Sequence, residues 1–189
     1  MGEDKKNIGL FFGSFNPITV GHLYVAQNIL ESSANIDEIW FVVSPKNPDK
    51  DESSLAKGED RLEMVKQSLT QFGNDKLRAE DIEFDLPLPN YTYRSIKHIR
   101  RNYTAKFIGE GRNLDFTIIV GEDVYEGITN WTHYEKLCGE KLLVFPRHAE
   151  APLLSCELKE NSIETLEEID DGANATLLGI SSTIVRDRI

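Results

Sequence analysis

Cysteine is scarce in this chain. Cys138 and Cys156 are the only two among 189 residues, and their separation lacks the paired spacing of a zinc site. Reduced, structural thiols in a cytoplasmic setting are the plain reading. No apolar run approaches the length of a membrane span. The opening MGEDKKNIGLFF is charged before it turns apolar, so it lacks the profile of a signal peptide. Lys6 stands where a myristoylation signal carries Ser or Thr. Without a secretory signal, the N-x-T triplets at Asn90, Asn102, Asn130 and Asn174 read as chance matches. Positive charge is also in short supply: 21 Lys and Arg face 32 Asp and Glu, for a net charge of −11. Such a surface repels phosphate backbones and argues against nucleic acid as a general partner. A small anionic substrate would need a local positive site built from few residues. There is no internal repeat and no low-complexity linker, and the length favours one domain over residues 1–189.

What the chain does have is an alternation of strand and helix signals. Ile8–Phe12 is a buried first strand closed by Gly13, and Gly21–Leu30 carries apolar residues at helical spacing. Ile39–Val43 is a second apolar strand, and Lys46–Lys57 a long polar loop. Leu62, Val65, Leu69 and Phe72 mark an amphipathic helix that ends at Gly73. Leu77–Phe84 reads as a strand, and Asp85–Asn90, with Pro87 and Pro89, as irregular. Tyr91–Tyr103 reads as a basic helix, Phe116–Val120 as the central strand, Trp131–Leu137 as a short helix and Lys141–Phe145 as another strand. The acid-rich Glu157–Asp171 suggests a solvated helix or loop, Thr176–Ile180 a last strand, and Ser181–Arg188 a terminal helix. Continuous apolar strands separated by helices imply an α/β fold of Rossmann-like type: a doubly wound parallel sheet with helices on both faces. Ligands of such sheets sit beyond the carboxyl ends of the strands, where the strand order reverses.

The chemistry-bearing residues cluster at those ends. In GLFFGSFNPITVGHL, Gly13, Ser14 and Phe15 leave the first strand, and His22 lies in the first turn of the helix that starts near Thr19. Free backbone amides and the helix dipole there suit a phosphate, and the imidazole adds a donor. The bland alternative is a strand–helix turn with a partly buried histidine. In GISSTIVRDRI, Ile180 precedes Ser181, Ser182 and Thr183, with Arg186 one turn on. That is a second phosphate clamp, or simple capping beside a solvated Arg. Gly121 and Asp123 end the central strand, where an acidic side chain suits ribose hydroxyls. Trp131 could stack on a flat ring or anchor a helix in the core. Tyr91-Thr92 offers backbone groups to a substrate edge or merely starts a helix. Lys50 and Arg147 could hold a second phosphate, though each alone reads equally as surface charge. Gly109-Glu110-Gly111 lacks the third glycine of a dinucleotide fingerprint, since Leu114 stands there.

These stretches resemble a known superfamily. GSFNPITVGH is similar to the G-x-F-x-P-x-(H/T)-x-G-H motif of nucleotidyltransferases, and ISSTIVR to their C-terminal ISSTxxR. With WFVVSPKNPDK, RLEMV, LPNYT, IVGEDVYEGITNWTHYEKL and VFPR in order between them, the chain most resembles bacterial nicotinate-nucleotide adenylyltransferases. The resemblance implies an enzyme of NAD biosynthesis that joins ATP and nicotinate mononucleotide and releases pyrophosphate. It assigns ATP phosphate contacts to Thr19, His22, Ser182, Thr183 and Arg186, and the nucleotide cleft to Gly13, Ser14 and Phe15. Gly121 and Asp123 would hold the ATP ribose, and Trp131 would stack on the pyridine ring beside Tyr91-Thr92. Lys50 and Arg147 would approach the mononucleotide.

Thr19 departs from the His usual in nicotinate-type members and matches phosphopantetheine adenylyltransferases. The sequence as given ends on ISSTIVRDRI, where relatives run on through a longer helix. The attacking 5′-phosphate is already an anion, so the expected mechanism uses positioning and charge stabilisation without a general base. Mg²⁺ is expected on the ATP phosphates, with no metal site of the protein's own. The expected partners are small molecules, with neither nucleic acid nor membrane, and a homo-oligomer stays open. The rival readings are a phosphopantetheine adenylyltransferase, a cytidylyltransferase and a nucleotide-binding regulator without turnover.

Overall fold

Every strand whose sequence is a continuous apolar run lies inside one seven-stranded sheet of order β3-β2-β1-β4-β5-β6-β7. The structure is a computed structural model and describes residues 4–32, 34–46, 55–104, 112–146, 153–157 and 167–169. The strands are β1 (Asp4–Gly13), β2 (Glu38–Val43), β3 (Leu77–Glu80), β4 (Arg112–Gly121), β5 (Lys141–Phe145), β6 (Leu153–Glu157) and β7 (Glu167–Ile169). β1 runs parallel to β2 on one side and to β4 on the other, so the order reverses at β1 and opens a crevice beyond Gly13 and Gly121.

The α/β Rossmann-like expectation holds, with one correction. β6 and β7 pair antiparallel to β5 and to each other, so the sheet is mixed. Part of the acid-rich segment expected as helix or loop is the edge strand β7. Leu77–Phe84 is also shorter than its sequence suggests: β3 stops at Glu80, and Ile82–Asp85 is a 3₁₀ turn. Ile82 and Glu83 are both buried in that turn, which Phe84 N–H closes by donating to the Asp81 carbonyl at 2.9 Å.

Helices cover both faces. α1 (Val20–Glu31) and α2 (Gly58–Phe72) pack Leu23, Ala26, Ile29, Val65 and Leu69 against Phe11, Phe41 and Val43. On the other face, α3 (Thr92–Ile99) and the loops after β4 pack Ile96, Ile99, Ile128 and Leu137 against Ile8, Leu10, Trp40 and Phe116. α3 continues into a π-helical turn, Arg100–Thr104, in place of the single longer helix expected. A short helix, α4 (Glu122–Glu126), follows β4 directly. Trp131–Leu137 is not an α-helix: 3₁₀ turns at Ile128–Asn130 and Tyr134–Lys136 flank an extended Trp131 and a left-handed His133. The expected strand over 176–180 and terminal helix over 181–188 lie outside the described residues.

α2 ends where glycine was expected to end it. Gly73 has φ 75, and its N–H donates to the Leu69 carbonyl at 3.1 Å. A methyl group there would meet no atom within 4 Å, so only backbone strain opposes it. Gly73→Ala should therefore lower stability in urea by about 1 kcal/mol while leaving turnover unchanged. A larger loss would mean that the turn does more than end a helix.

Candidate active site

The turn that leaves β1 is built around aromatic rings. Phe15 has φ 44, a left-handed conformation rare for an aromatic residue, and only 4% of it is exposed. Its ring lies 5.7 Å from Phe11, 5.4 Å from Phe41 and 5.3 Å edge-on to His22. Gly13 makes this possible, because a Cβ on it would come within 2.9 Å of the Phe15 ring. The glycine is thus required by the chain's own packing as well as by any approaching ligand. Ser14 is buried, and its hydroxyl finds no partner among the described residues.

Thr19 is the N-cap of α1, and its backbone N–H donates to His22 Nδ1 at 3.0 Å. An amide can only donate, so Nδ1 presents its lone pair and the ring proton belongs on Nε2. The Thr19 hydroxyl lies 2.8 Å from the same nitrogen and completes its surroundings. This geometry turns His22 into a fixed Nε2–H donor at a helix N-terminus. Thr19 is 7% exposed and sits beneath the imidazole.

Gly121 and Asp123 meet this turn from β4. β1 and β4 pair in register through Phe11 and Ile119, which brings Gly13 and Gly121 to the same end of neighbouring strands. A Cβ on Gly121 would stand 2.7 Å from an Asp123 carboxylate oxygen, so the missing side chain lets that carboxylate fold back over the strand end. Asp123 itself is exposed.

The second half of the site is aromatic. Tyr91 is the N-cap of α3 and Thr92 its first helical residue, so Thr92 does not cap the helix. The Tyr91 ring stacks with Tyr93 at 6.1 Å, and both meet His133 edge-on, at 5.3 and 5.1 Å. His133 therefore ties the Tyr91-Thr92 segment to the Trp131 loop. Trp131 is half-buried and rests against the core while keeping a face outside it. Arg94 lies 5.2 Å over Tyr91, and Lys136 lies 4.6 Å over Tyr93. The Arg94 hydrogen bond to the Tyr93 hydroxyl, at 3.0 Å, holds that phenol below its ordinary pKa.

A buried turn holds this segment from below. Glu83 is 2% exposed; its carbonyl accepts from Asn90 Nδ2 at 2.9 Å and its carboxylate from the Ser95 hydroxyl at 2.5 Å. Both flanks of Tyr91-Thr92 are thus fastened to one residue. Glu83, His133 and Arg61, a buried residue of α2, were not singled out from the sequence. Arg61 alone left a signal there, being in helical phase with the buried Val65 and Leu69. Lys50, Arg147, Ile180, Ser181, Ser182, Thr183 and Arg186 lie outside the described residues. No helix among the described residues is long and apolar enough to cross a membrane.

Residues 10–188 match the cytidylyltransferase-like family, and the chain belongs to it. Within that class, two proteins similar to this chain carry one name. It is 37% identical, over 98% of its length and 87% of the relative's, to a protein of Christiangramia forsetii named "Probable nicotinate-nucleotide adenylyltransferase". A Cytophaga hutchinsonii protein of the same name is 38% identical over 96% of this chain and 85% of its own. A solved structure of Plasmodium falciparum nicotinic acid mononucleotide adenylyltransferase, complexed with NaAD, has the same fold: TM-score 0.58 at 23% identity, over 75% of this chain and 65% of that one.

Burial pushes the Glu83 carboxyl above its ordinary 4.5, against the hydrogen bonds from Ser95 and Ser44. At pH below 4.5 the folded and unfolded chains both keep this proton, and Glu83 costs nothing. As pH rises, the unfolded chain ionises first and the fold loses stability until Glu83 ionises too. Relative to wild type, Glu83→Gln should therefore gain stability as the pH rises above 4.5, read as denaturant midpoints. Parallel curves would show that this carboxyl titrates normally.

Proposed function

We propose that the crevice between β1 and β4 transfers the adenylyl group of ATP to nicotinate mononucleotide, giving the adenine dinucleotide of NAD biosynthesis and pyrophosphate. The observation that carries this reading is His22: its Nδ1 is committed to Thr19, which leaves an oriented Nε2–H at the switch point of the sheet. The relatives' shared name supplies the substrates, and the family supplies the type of reaction.

The nucleophile is a phosphate oxygen of the mononucleotide, an anion at neutral pH. Its attack on the α-phosphorus forms one P–O bond as the bond to the β-phosphate oxygen breaks. No proton has to be removed, so the protein's work is to bring two anions together and spread the developing charge. His22 is assigned the α-phosphate in the transition state, with Thr19 keeping the imidazole in its donating tautomer. Gly13, Ser14 and Phe15 line the nucleotide cleft, and Gly121 and Asp123 take the ATP ribose. Trp131 faces the pyridine ring, and Tyr91-Thr92 meets its carboxyl edge. Arg186, with Ile180, Ser181, Ser182 and Thr183, is assigned the outer phosphates, and Lys50 and Arg147 the mononucleotide. Among the described residues no three His, Cys, Asp or Glu side chains gather as a metal-ligand set. Mg²⁺ is taken as part of the co-substrate, carried by the ATP phosphates. The reading takes the enzyme as cytoplasmic, in keeping with its two free thiols.

Purified protein with ATP, Mg²⁺ and one acceptor at a time should release pyrophosphate with nicotinate mononucleotide. Release with phosphopantetheine instead would give Thr19 the meaning it has in that branch. Tight ATP binding without release for any acceptor would make the protein a nucleotide sensor. His22→Ala should lose on the order of 10²–10³ in kcat; near-full turnover in that variant would remove His22 from the chemistry.

A further inference from the structure

Arg61 is fully buried, yet among the described residues it pairs with no carboxylate. Its guanidinium is surrounded by main-chain carbonyls from three separate segments. Nε donates to the Ala56 carbonyl at 2.9 Å, one terminal nitrogen to Ser44 at 2.8 Å and to Ser14, and the other to Pro45 at 2.7 Å. Ser14 lies in the phosphate-facing turn after β1, and Ser44 and Pro45 follow β2. Ala56 precedes α2, at the far end of the polar loop that contains Lys50. Asn16 binds the same segment, its Oδ1 accepting from the Ala56 N–H at 3.0 Å.

The consequence for the site follows from peptide geometry. In a planar trans peptide the C=O and N–H point in opposite directions. Binding the Ser14 carbonyl to the guanidinium on the β2 side therefore turns the Phe15 N–H the other way, toward the β1–β4 crevice. The same guanidinium helps to keep Phe15 at φ 44, a strained conformation that the surrounding structure has to over-determine. Successive N–H groups around a left-handed residue make a concavity for anions. Arg61 reaches no substrate in this arrangement. Its influence is exerted through the main chain.

We propose that Arg61 is a positioning residue for adenylyl transfer: by gathering the Ser14, Ser44, Pro45 and Ala56 carbonyls it aims the Phe15 N–H at the reacting phosphate. The proposal rests on the adenylyltransferase reading given above. Wild-type turnover in the same assay tests that reading separately, because every variant is compared with it.

The test is steady-state pyrophosphate release by full-length Arg61→Lys and Arg61→Ala, each corrected for the folded fraction measured by circular dichroism. A lysine keeps the charge but cannot span four carbonyls in one plane. Arg61→Lys should lose roughly 10- to 100-fold in kcat while KM for ATP changes by less than about threefold, the pattern of a contact made in the transition state. Adding methylguanidinium to Arg61→Ala should restore part of the lost kcat. A merely structural role would leave kcat per folded molecule at the wild-type value, and that result overturns the proposal. Loss of folding in both variants, with no recovery of activity under methylguanidinium, assigns Arg61 to folding alone and overturns it equally.

Discussion

A guanidinium taken fully out of water is the interaction on which the catalytic edge of this molecule depends. Removing such a charge from solvent costs several kcal/mol even after the protein relaxes. At Arg61 the compensation comes from carbonyl oxygens, which accept charge-assisted hydrogen bonds stronger than neutral ones. Burial lowers the pKa of Arg61, but arginine starts so high that the group stays charged. The Ser14, Ser44 and Pro45 carbonyls lie just past the last residues of β1 and β2, beyond the reach of the sheet's own ladder. One side chain thus satisfies the ends of two parallel strands and the approach to a helix. Its planar fork fixes their spacing better than solvent could.

That arrangement only matters because of where the strand order turns. β1 lies between β2 and β4, with the helices after β1 and β2 on one face and those after β3 and β4 on the other. Among the described residues no connection crosses beyond the carboxyl ends of β1 and β4, so topology leaves a gap there. The two halves of the site are then held by different means. Around Gly13 and His22 the hold is aromatic packing together with a capping interaction. Around Tyr91-Thr92 it is Glu83, through Asn90 and Ser95. Each half rests on a separate hydrophobic core, on opposite faces of the sheet.

Much of this was legible in advance, for reasons that differ by element. β1, β2, β4 and β5 are continuous apolar runs because both faces of a central strand are covered. Edge strands lack that signature. β7 is Glu167–Ile169, and two acidic residues in three gave it the look of a solvated segment. The turn at Ile82–Asp85 mimicked a strand because Ile82 and Phe84 alternate with polar neighbours, although the polar Glu83 is buried along with Ile82. Gly13 closes β1, with Thr19 and His22 following it, and Gly121 and Asp123 stand at the same end of the neighbouring β4. The supports beneath them were harder to see. Glu83 and Arg61 are charged residues in amphipathic surroundings, where the ordinary expectation is solvent. Only the phase of Arg61 with Val65 and Leu69 ran against it.

The acidity of the whole chain looks at first like an obstacle to binding two phosphate-bearing substrates. At physiological ionic strength, however, exposed charges are screened beyond about 8 Å, so a surface carboxylate more than one turn away is scarcely felt in the crevice. What an incoming phosphate meets there is mostly main chain. The N-terminus of α1 carries the positive end of the helix dipole, and the turn at Phe15 packs against it, with its ring 5.3 Å from that of His22. The imidazole at position 22 adds a neutral donor rather than a charge. Such groups do not have to be drawn out of water as the substrate enters, because folding has already placed them. For a reaction whose difficulty is the approach of one anion to another, fixed dipoles have a further advantage over mobile lysines. They stabilise the charge that builds up in the transition state without having to reorganise to do so.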